Sequence, residues 1–117
     1  VVSLHARVTK ETEKMIGENE LKKMKKGSYL INTARGPLLD YLALEKFLLN
    51  NHLRGAALDT FDIEPLPSNS NLLKLKNITI TPHIAGASVK TVSYAVDIIV
   101  KDLFNYLKNK PLINKIC

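Results

Sequence analysis

The feature that most constrains the fold of this chain is a regular alternation of short apolar runs with amphipathic segments of helical period. Short apolar runs bounded by polar residues are typical of buried strands. Strands that alternate with helices in this way are joined by right-handed crossovers, which predicts a parallel sheet. Because the runs are apolar on both faces, we expect helices to cover both sides of that sheet. The predicted strands are "VVSLH", "SYLIN", "RGAALDT" and "NITIT".

Capping residues and prolines mark the predicted helices between these strands. A short helix is expected in "GENELKKMKKG", and Asp40 can cap a second over "YLALEKFLLNN". Ser88 is a candidate N-cap for the longest helix, and Pro111 marks its end. Pro82 holds the residue before it extended, so the fourth strand ends in a defined direction. The longest helix should carry an apolar stripe of Val89, Val92, Val96, Ile99, Val100, Leu103, Phe104 and Leu107.

The composition favours a soluble globular domain. Its 117 residues are 45% hydrophobic and 24% charged. No apolar stretch approaches the ~20 residues of a membrane span, and no basic-then-apolar leader opens the chain. We therefore expect a cytoplasmic protein with no membrane partner. The single cysteine, Cys117, cannot form an internal disulfide and is interpreted as an incidental terminal thiol.

The formal net charge of +6 raises the question of a nucleic-acid partner. Many of the lysines lie in "LKKMKKG", where Leu21 and Met24 are three residues apart. This spacing buries one helical stripe and leaves the lysines in water. No arginine-rich run is present, and no aromatic residues interleave with the lysines as a base-stacking surface requires. We therefore expect no nucleic-acid partner.

Polar residues follow every predicted strand. His5 ends the first, Asn32 to Arg35 end the second, Asp59 ends the third and His83 follows the fourth. In an open parallel sheet, ligands bind outside the carboxyl ends of the strands. These four stretches are therefore predicted to meet at one rim, with Glu64 in the loop just beyond Asp59.

Each of these residues also has a purely structural interpretation. A histidine at a strand end is often structural, an aspartate there is commonly a cap, and Arg35-Gly36 could be a turn whose glycine takes a positive φ. As a set, they suit proton transfer next to a carboxylate or carbonyl. Histidine titrates near neutrality, a neighbouring carboxylate favours its charged form, and arginine binds planar oxyanions. No metal site is predicted.

Three motifs relate the chain to a known family. "INTARGPLLD", "GAALDTFDIEPLP" and "NITITPHIAGAS" occur in this order, and the chain opens with "VSLHARVTKET". Over nearly its whole length the chain closely resembles the D-isomer-specific 2-hydroxyacid dehydrogenases, which include D-lactate, phosphoglycerate, glycerate and glyoxylate/hydroxypyruvate enzymes. The resemblance implies an α/β fold with a Rossmann-like doubly wound parallel sheet. It also implies an NAD(P)-dependent oxidoreductase that transfers hydride between a nicotinamide cofactor and a small D-2-hydroxy or 2-oxo acid.

The resemblance implies a role for each motif residue. Arg35 would orient the substrate carboxylate and carbonyl, His83 would be the general acid/base, and Glu64 would be its partner carboxylate. Asp59 would hold the cofactor near its nicotinamide end. NAD is the expected cofactor and NADP is not excluded. The residues expected to contact the cofactor are Ala6, Arg7, Thr12, Thr33, Ala34, Arg35, Asp59, His83, Ala85 and Gly86.

The chain also departs from the family pattern. It has five glycines and none in a G-x-G, so the phosphate-binding fingerprint of the family is absent from this sequence. Ala6-Arg7 stand where many members have an apolar residue and proline, and Tyr41 stands where an acid is usual. Because the phosphate-binding fingerprint is absent, the resemblance is to the second half of a dinucleotide-binding domain. The chain opens in an apolar run without methionine, so we also expect it to begin within a strand. Residues 1–109 would form this partial domain, and residues 110–117 a tail that is a remnant of the substrate domain.

Two other functions stay open at this point. The chain could be a non-catalytic dinucleotide-binding module, as in corepressor relatives of the family, because a fold does not fix a function. It could also be an inactive truncated homologue. The full-length protein is expected to be a homodimer. The sequence does not identify the side chain of the substrate, and activity of the isolated chain is left open.

Overall fold

The computed structural model describes residues 1–115, and the terminal residues, including Cys117, lie outside this range. The strands of the described part are β1 (Val2–Leu4), β2 (Ser28–Asn32), β3 (Leu53–Leu58) and β4 (Ile78–Ile80). The α-helices are α1 (Glu18–Lys23), α2 (Tyr41–Leu49) and α3 (Val89–Leu107), and short 3₁₀ turns cover Gly36–Leu38 and Asn71–Lys74. Each predicted strand and helix is confirmed at its expected place.

The described strands form one parallel sheet in the order β1-β2-β3-β4. The register pairs Leu4 with Asn32, Asn32 with Leu58, and Leu58 with Ile80. The final residues of all four strands therefore stand side by side. This alignment brings the segments that follow the strands to one rim, as the strand-end rule predicts.

One face of the sheet forms the core of the first part of the chain. Alternate strand residues, among them Leu30 and Leu58, point to this face and are fully or nearly fully buried. Helix α2 covers it with Leu44 and Leu48, and α1 packs beside α2 through Leu21. The lysines of α1 remain exposed, in agreement with the predicted solvated helix face.

Helix α2 begins at the predicted cap. The Asp40 carboxylate accepts a hydrogen bond from the backbone N–H of Ala43 at 3.1 Å, which satisfies one of the free donors of the first turn. Asp40 itself is fixed to the preceding chain because its N–H donates to the carbonyl of Ile16 at 3.0 Å. The helix therefore starts at a position set by both its own sequence and a distant segment.

The opposite face of the sheet is open within residues 1–85. Tyr29 is 44% exposed there, and Thr79 is exposed as well. A hollow of about 380 Å³ runs along this face beside Gly55 and Ala57. The prediction that helices cover both faces is therefore met on only one face of this unit, because α1 and α2 both lie on the same side.

The chain divides into two compact units, the first comprising Val1–Ala85 and the second beginning at Gly86. In the second unit, Ser88 caps α3 by accepting from the N–H of Thr91 at 3.1 Å, as predicted. No residue of α3 is buried, and its predicted apolar stripe ranges from 40% exposure at Val100 to 89% at Val89. The segment after the helix folds back, because the Asp102 carboxylate accepts from the N–H groups of Ile113 and Asn114.

Candidate active site

The turn after β2 presents Arg35 on a fixed backbone. Asn32, which is fully buried, donates through Nδ2 to the carbonyl of Arg35 at 3.0 Å and accepts through Oδ1 from the N–H of Ala34 at 3.1 Å. The Arg35 side chain is exposed, and its Nη1 donates to the carbonyl of Ala34 at 2.7 Å. Asn32 therefore closes the turn from within and leaves the guanidinium accessible.

Gly36 has a role different from the one that its sequence context suggested. Its φ is not positive, so the interpretation of Arg35-Gly36 as a turn with a left-handed glycine is wrong. A Cβ on Gly36 would lie 1.9 Å from the carbonyl carbon of Phe61 and 2.3 Å from the N of Asp62. Only glycine allows the turn after β2 to touch the backbone of the loop after β3, which leads to Glu64.

His83 and Glu64 are in hydrogen-bond contact at the rim. The Nδ1 of His83 lies 2.8 Å from the Oε2 of Glu64, and both side chains are partly exposed. The other carboxylate oxygen of Glu64 accepts from the N–H of Phe61 at 2.8 Å. His83 has a φ of 55°, a left-handed conformation that is uncommon for residues other than glycine. The predicted acid/base and its predicted carboxylate partner are thus brought into direct contact.

The buried carboxylate of Asp59 holds the loop that carries His83. Asp59 is 2% exposed, and its Oδ1 accepts from the Thr81 hydroxyl at 2.5 Å and from the N–H of Ile84 at 2.8 Å. Its Oδ2 accepts from the N–H of Ala85 at 2.8 Å. These bonds bracket His83 on both sides, so they fix the unusual backbone conformation of that residue. A cofactor contact by Asp59 stays a prediction.

The ionisation of both carboxylates follows from these contacts. Burial alone would raise the pKa of Asp59, but the hydrogen bonds from Thr81, Ala85 and Ile84 outweigh it and lower that pKa below its usual value of 3.8. The hydrogen bond to His83 is the main cause that lowers the pKa of Glu64 below 4.5, and the positive charge of Arg35 contributes. Both carboxylates are therefore charged at neutral pH.

Tyr41 supports the loop between β3 and Glu64. Its hydroxyl donates to the carbonyl of Thr60 at 2.8 Å, and its ring lies 6.1 Å from that of Phe61. Burial, followed by the negative charge of Asp62, raises the pKa of Tyr41 well above its usual range. The residue is neutral and acts as a hydrogen-bond donor and a packing partner.

A groove of about 560 Å³ lies at the carboxyl ends of β1 and β2. It brings together several residues that were predicted to contact the cofactor. Thr12 holds the backbone of one lining residue, because its hydroxyl donates to the carbonyl of Arg7 at 2.7 Å. The lining residues are His5, Ala6, Arg7, Val8, Ala34 and Arg35.

The remaining predicted residues differ in their surroundings. Thr33 is exposed on the turn after β2, and Ala85 is engaged through its N–H with Asp59. Gly86 is exposed and begins the second unit. On the other side of the rim, an apolar hollow of about 530 Å³ adjoins Glu64 and His83 and is lined in part by Leu66, Leu73 and Ile80.

Two functional residues were not among the predicted site residues. Asn32 was noted only as a polar strand end, although an asparagine at the end of an apolar run, three residues before an arginine-glycine pair, is a recognisable turn signal. Thr81 carries no such signal, because its partner Asp59 is distant in sequence and is brought near only by the pairing of β3 with β4. Among residues 1–115 no cluster of three or more metal-binding side chains is found, and no helix is long and apolar enough to span a membrane.

Comparison with known proteins identifies the family of the chain. Residues 1–85 match the family model of the D-isomer specific 2-hydroxyacid dehydrogenase, NAD binding domain. The chain is 45% identical to a glyoxylate reductase of Thermofilum pendens over 98% of its own length and 35% of that protein. It spans about a third of the length of the curated relatives it matches.

Solved structures give the same result. A D-isomer specific 2-hydroxyacid dehydrogenase from Xanthobacter autotrophicus Py2, in complex with NADPH and MES, superposes with a TM-score of 0.82 at 32% identity, covering 99% of this chain and 47% of that one. An NAD-complexed D-isomer specific 2-hydroxyacid dehydrogenase from Lactobacillus delbrueckii ssp. bulgaricus superposes with a TM-score of 0.76 at 37% identity, covering 94% of this chain and 37% of that one.

Proposed function

Because the chain belongs to the D-isomer specific 2-hydroxyacid dehydrogenase family, we propose that it is the catalytic part of an NAD(P)-dependent oxidoreductase. Its substrates are a small D-2-hydroxy acid and the corresponding 2-oxo acid. The observation that carries the proposal is the 2.8 Å contact between the Nδ1 of His83 and the Oε2 of Glu64, with Arg35 on the turn after β2 at the same rim.

His83 moves the proton of the reaction. Its Nδ1 is taken by the Glu64 carboxylate, so Nε2 is the ring atom that exchanges a proton with the substrate oxygen. In the reductive direction the imidazolium donates this proton to the forming hydroxyl, and in the oxidative direction the neutral ring accepts it. Glu64 stabilises the imidazolium by charge and fixes the orientation of the ring.

Arg35 binds the substrate carboxylate. A guanidinium can donate two parallel hydrogen bonds to a planar carboxylate, which orients the adjacent C2 carbon as well as holding the acid. The backbone of Arg35 is already held by Asn32, so binding orders only the side chain. This arrangement reduces the entropy lost when the substrate is bound.

The residues of the groove fit a dinucleotide. The groove lies at the carboxyl ends of parallel strands, and the small side chains of Ala6 and Ala34 leave the backbone within reach of a ligand. NAD or NADP, when bound, accepts or donates the hydride at C2 of the acid. The proposed contacts are Ala6, Arg7, Thr12, Thr33, Ala34, Arg35, Asp59, His83, Ala85 and Gly86.

The proposal extends to the setting of the protein. We propose that it works in the cytoplasm and acts on small molecules without a nucleic-acid or membrane partner. It forms a homodimer, for which the exposed apolar side chains of α3 are the supporting observation. A non-catalytic binding module is less favoured because such a module has no need of the contact between His83 and Glu64. Light scattering of the native full-length protein would test the homodimer by measuring the molar mass in solution, where a mass of one chain would contradict the dimer.

The catalytic proposal is tested by measuring the rate at which the native full-length protein reduces glyoxylate with NADH and with NADPH. His83→Ala should lower kcat by on the order of 10²–10⁴-fold, the usual contribution of a general acid/base. His52→Ala is a matched control, because His52 bonds the carbonyl of Met24 away from the rim. Turnover by the His83 variant within a few-fold of the original would contradict the assignment.

A further inference from the structure

Two arginines line the groove at the ends of β1 and β2. Arg7 and Arg35 both belong to its lining, together with His5, and none of its lining residues is acidic. Like charges in one groove repel each other, and this repulsion is relieved when an anion enters. The groove is therefore suited to a ligand with more than one negative charge.

Arg7 has no partner of its own for this charge. Among residues 1–115, its guanidinium takes part in no hydrogen bond and no ion pair within the protein. Its backbone, in contrast, is fixed: the Thr12 hydroxyl donates to the Arg7 carbonyl at 2.7 Å and accepts from the N–H of Thr9 at 2.7 Å. An ordered loop thus presents an unpaired cation to the groove.

The two arginines differ in the group that each can bind. The proposed function assigns the substrate carboxylate to Arg35, which leaves Arg7 for a second anionic group. A guanidinium matches the geometry of phosphate oxygens and can donate two hydrogen bonds to them.

We infer that Arg7 binds a phosphate group of a ligand in this groove and so determines which ligands the protein prefers. The inference rests on the proposed function, because it takes Arg35 as the carboxylate site. Two sources present the same chemistry: the additional 2′-phosphate of NADP, and the phosphate of a phosphorylated 2-hydroxy acid. The experiment distinguishes them by using pairs of ligands that differ in one phosphate.

The test is calorimetric titration of the protein as its cell makes it, with NADP⁺ against NAD⁺ and with 3-phospho-D-glycerate against D-glycerate. The variants are Arg7→Ala, Arg7→Lys and, as a matched control, Lys10→Ala, which removes an exposed charge from the same loop outside the groove. Thermal melting of each variant establishes that it is folded, and Arg7→Gln replaces Arg7→Ala if the alanine variant is not.

The quantity compared between variants is the ratio of the affinity for the phosphate-bearing ligand to the affinity for its partner without that phosphate. Arg7→Ala should reduce the preference for the phosphate-bearing member of one pair by at least about tenfold, as expected for a lost hydrogen bond to a charged group. Arg7→Lys should restore part of this preference, since lysine keeps the positive charge but cannot donate two parallel hydrogen bonds from a planar group. A loss confined to the dinucleotide pair assigns the cofactor phosphate, and a loss confined to the acid pair assigns the substrate phosphate.

An Arg7→Ala variant whose ratios for both pairs match those of Lys10→Ala would overturn the inference. Failure of the proposed function is separate and can be recognised. If the unaltered protein turns over no 2-oxo acid but Arg7→Ala still loses the phosphate preference, the catalytic proposal fails and the phosphate site stands. If turnover is normal and the ratios do not change, only the phosphate site fails.

Discussion

The turn that carries Arg35 and the loop that carries His83 are both held by one buried polar side chain, but over very different distances in the chain. Asn32 bonds the backbone of residues two and three positions later, whereas Asp59 bonds side-chain and backbone groups 22 to 26 residues away. The first anchor is neutral and the second is charged. One suitable side chain is enough to close a local turn. A loop that follows a different strand is held by several hydrogen bonds to one charged acceptor.

Asn32 and Asp59, the two anchors of these segments, are also joined to each other. The carbonyl of Asn32 accepts from the N–H of Asp59 at 2.9 Å, and Gly36 lets the first turn touch the backbone of Phe61. The positions of Arg35 and of the His83–Glu64 pair therefore depend on one shared contact. Substitutions at this contact should affect both regions, and substitutions at either anchor should affect mainly one.

The largest effect is expected from Gly36→Ala. The new Cβ would meet backbone atoms of Phe61, which cannot move aside as a flexible side chain could. We expect a loss of unfolding free energy of about 3 kcal/mol or more, at the upper end for overpacked sites, and loss of turnover. Urea denaturation measures the stability. Gly86→Ala is the control, because a Cβ there meets nothing within 4 Å, and equal stability of the two variants would contradict the close approach.

Asp59→Ala should have the next largest effect, mainly in the loop of His83. It removes the acceptor of the Ile84 and Ala85 N–H groups, and the buried donors that remain each cost about 1–3 kcal/mol. We expect kcat to fall by at least about 100-fold with a smaller change in substrate KM. Asp59→Asn, which keeps one acceptor oxygen, should lie between. If kcat falls and substrate KM rises by the same factor, the conclusion that Asp59 affects mainly the loop of His83 would be contradicted.

Asn32→Ala should mainly affect substrate binding. It frees the backbone of Arg35, so we expect substrate KM to rise by roughly tenfold, which corresponds to about 1.4 kcal/mol, while kcat changes less. Asn32→Asp keeps the acceptor for the Ala34 N–H but loses the donor to the Arg35 carbonyl, and should be intermediate. Steady-state kinetics with varied 2-oxo acid measures the effect, and a fall in kcat with unchanged KM would assign Asn32 to the other region.

Thr81→Val should have a smaller effect than either anchor. It removes one of the three hydrogen bonds to Asp59 and leaves the backbone donors in place. We expect a stability loss of about 0.5–1.5 kcal/mol. Thr79→Val, on the exposed strand position two residues earlier, is the matched control. A Thr81 variant as stable as this control would mean that the hydroxyl contributes nothing to the anchor.

The smallest effect is expected from pH. The folded pKa values of Asp59 and Glu64 lie below their usual values, so both groups contribute stability that is present at neutral pH. This contribution should be lost as pH falls below 4.5 and then below 3.8 toward the lower folded values. Urea denaturation over this range measures it. Asp59→Asn should flatten the lower part of the curve, and an unchanged curve would show that the charge of the anchor is unimportant.

Much of the fold was predictable because its signals are local. The apolar runs and the caps Asp40 and Ser88 each act over a few residues, and the structure confirms all of them. The strand-end rule also brought the motif residues to one rim. The covering of both sheet faces was not met within residues 1–85, because an apolar pattern shows that a face can be buried and not which element buries it.

The sequence by itself determined the order of strands and helices, the family, and the identity of Arg35, Glu64 and His83 as candidates, because each depends on residue type and spacing. Only the tertiary structure decided that Asp59 and Thr81 hold the loop of His83, that Gly36 serves a backbone contact, and that Arg7 shares a groove with Arg35. These contacts join residues far apart in the chain. Their existence depends on strand register and loop path, which no local pattern specifies.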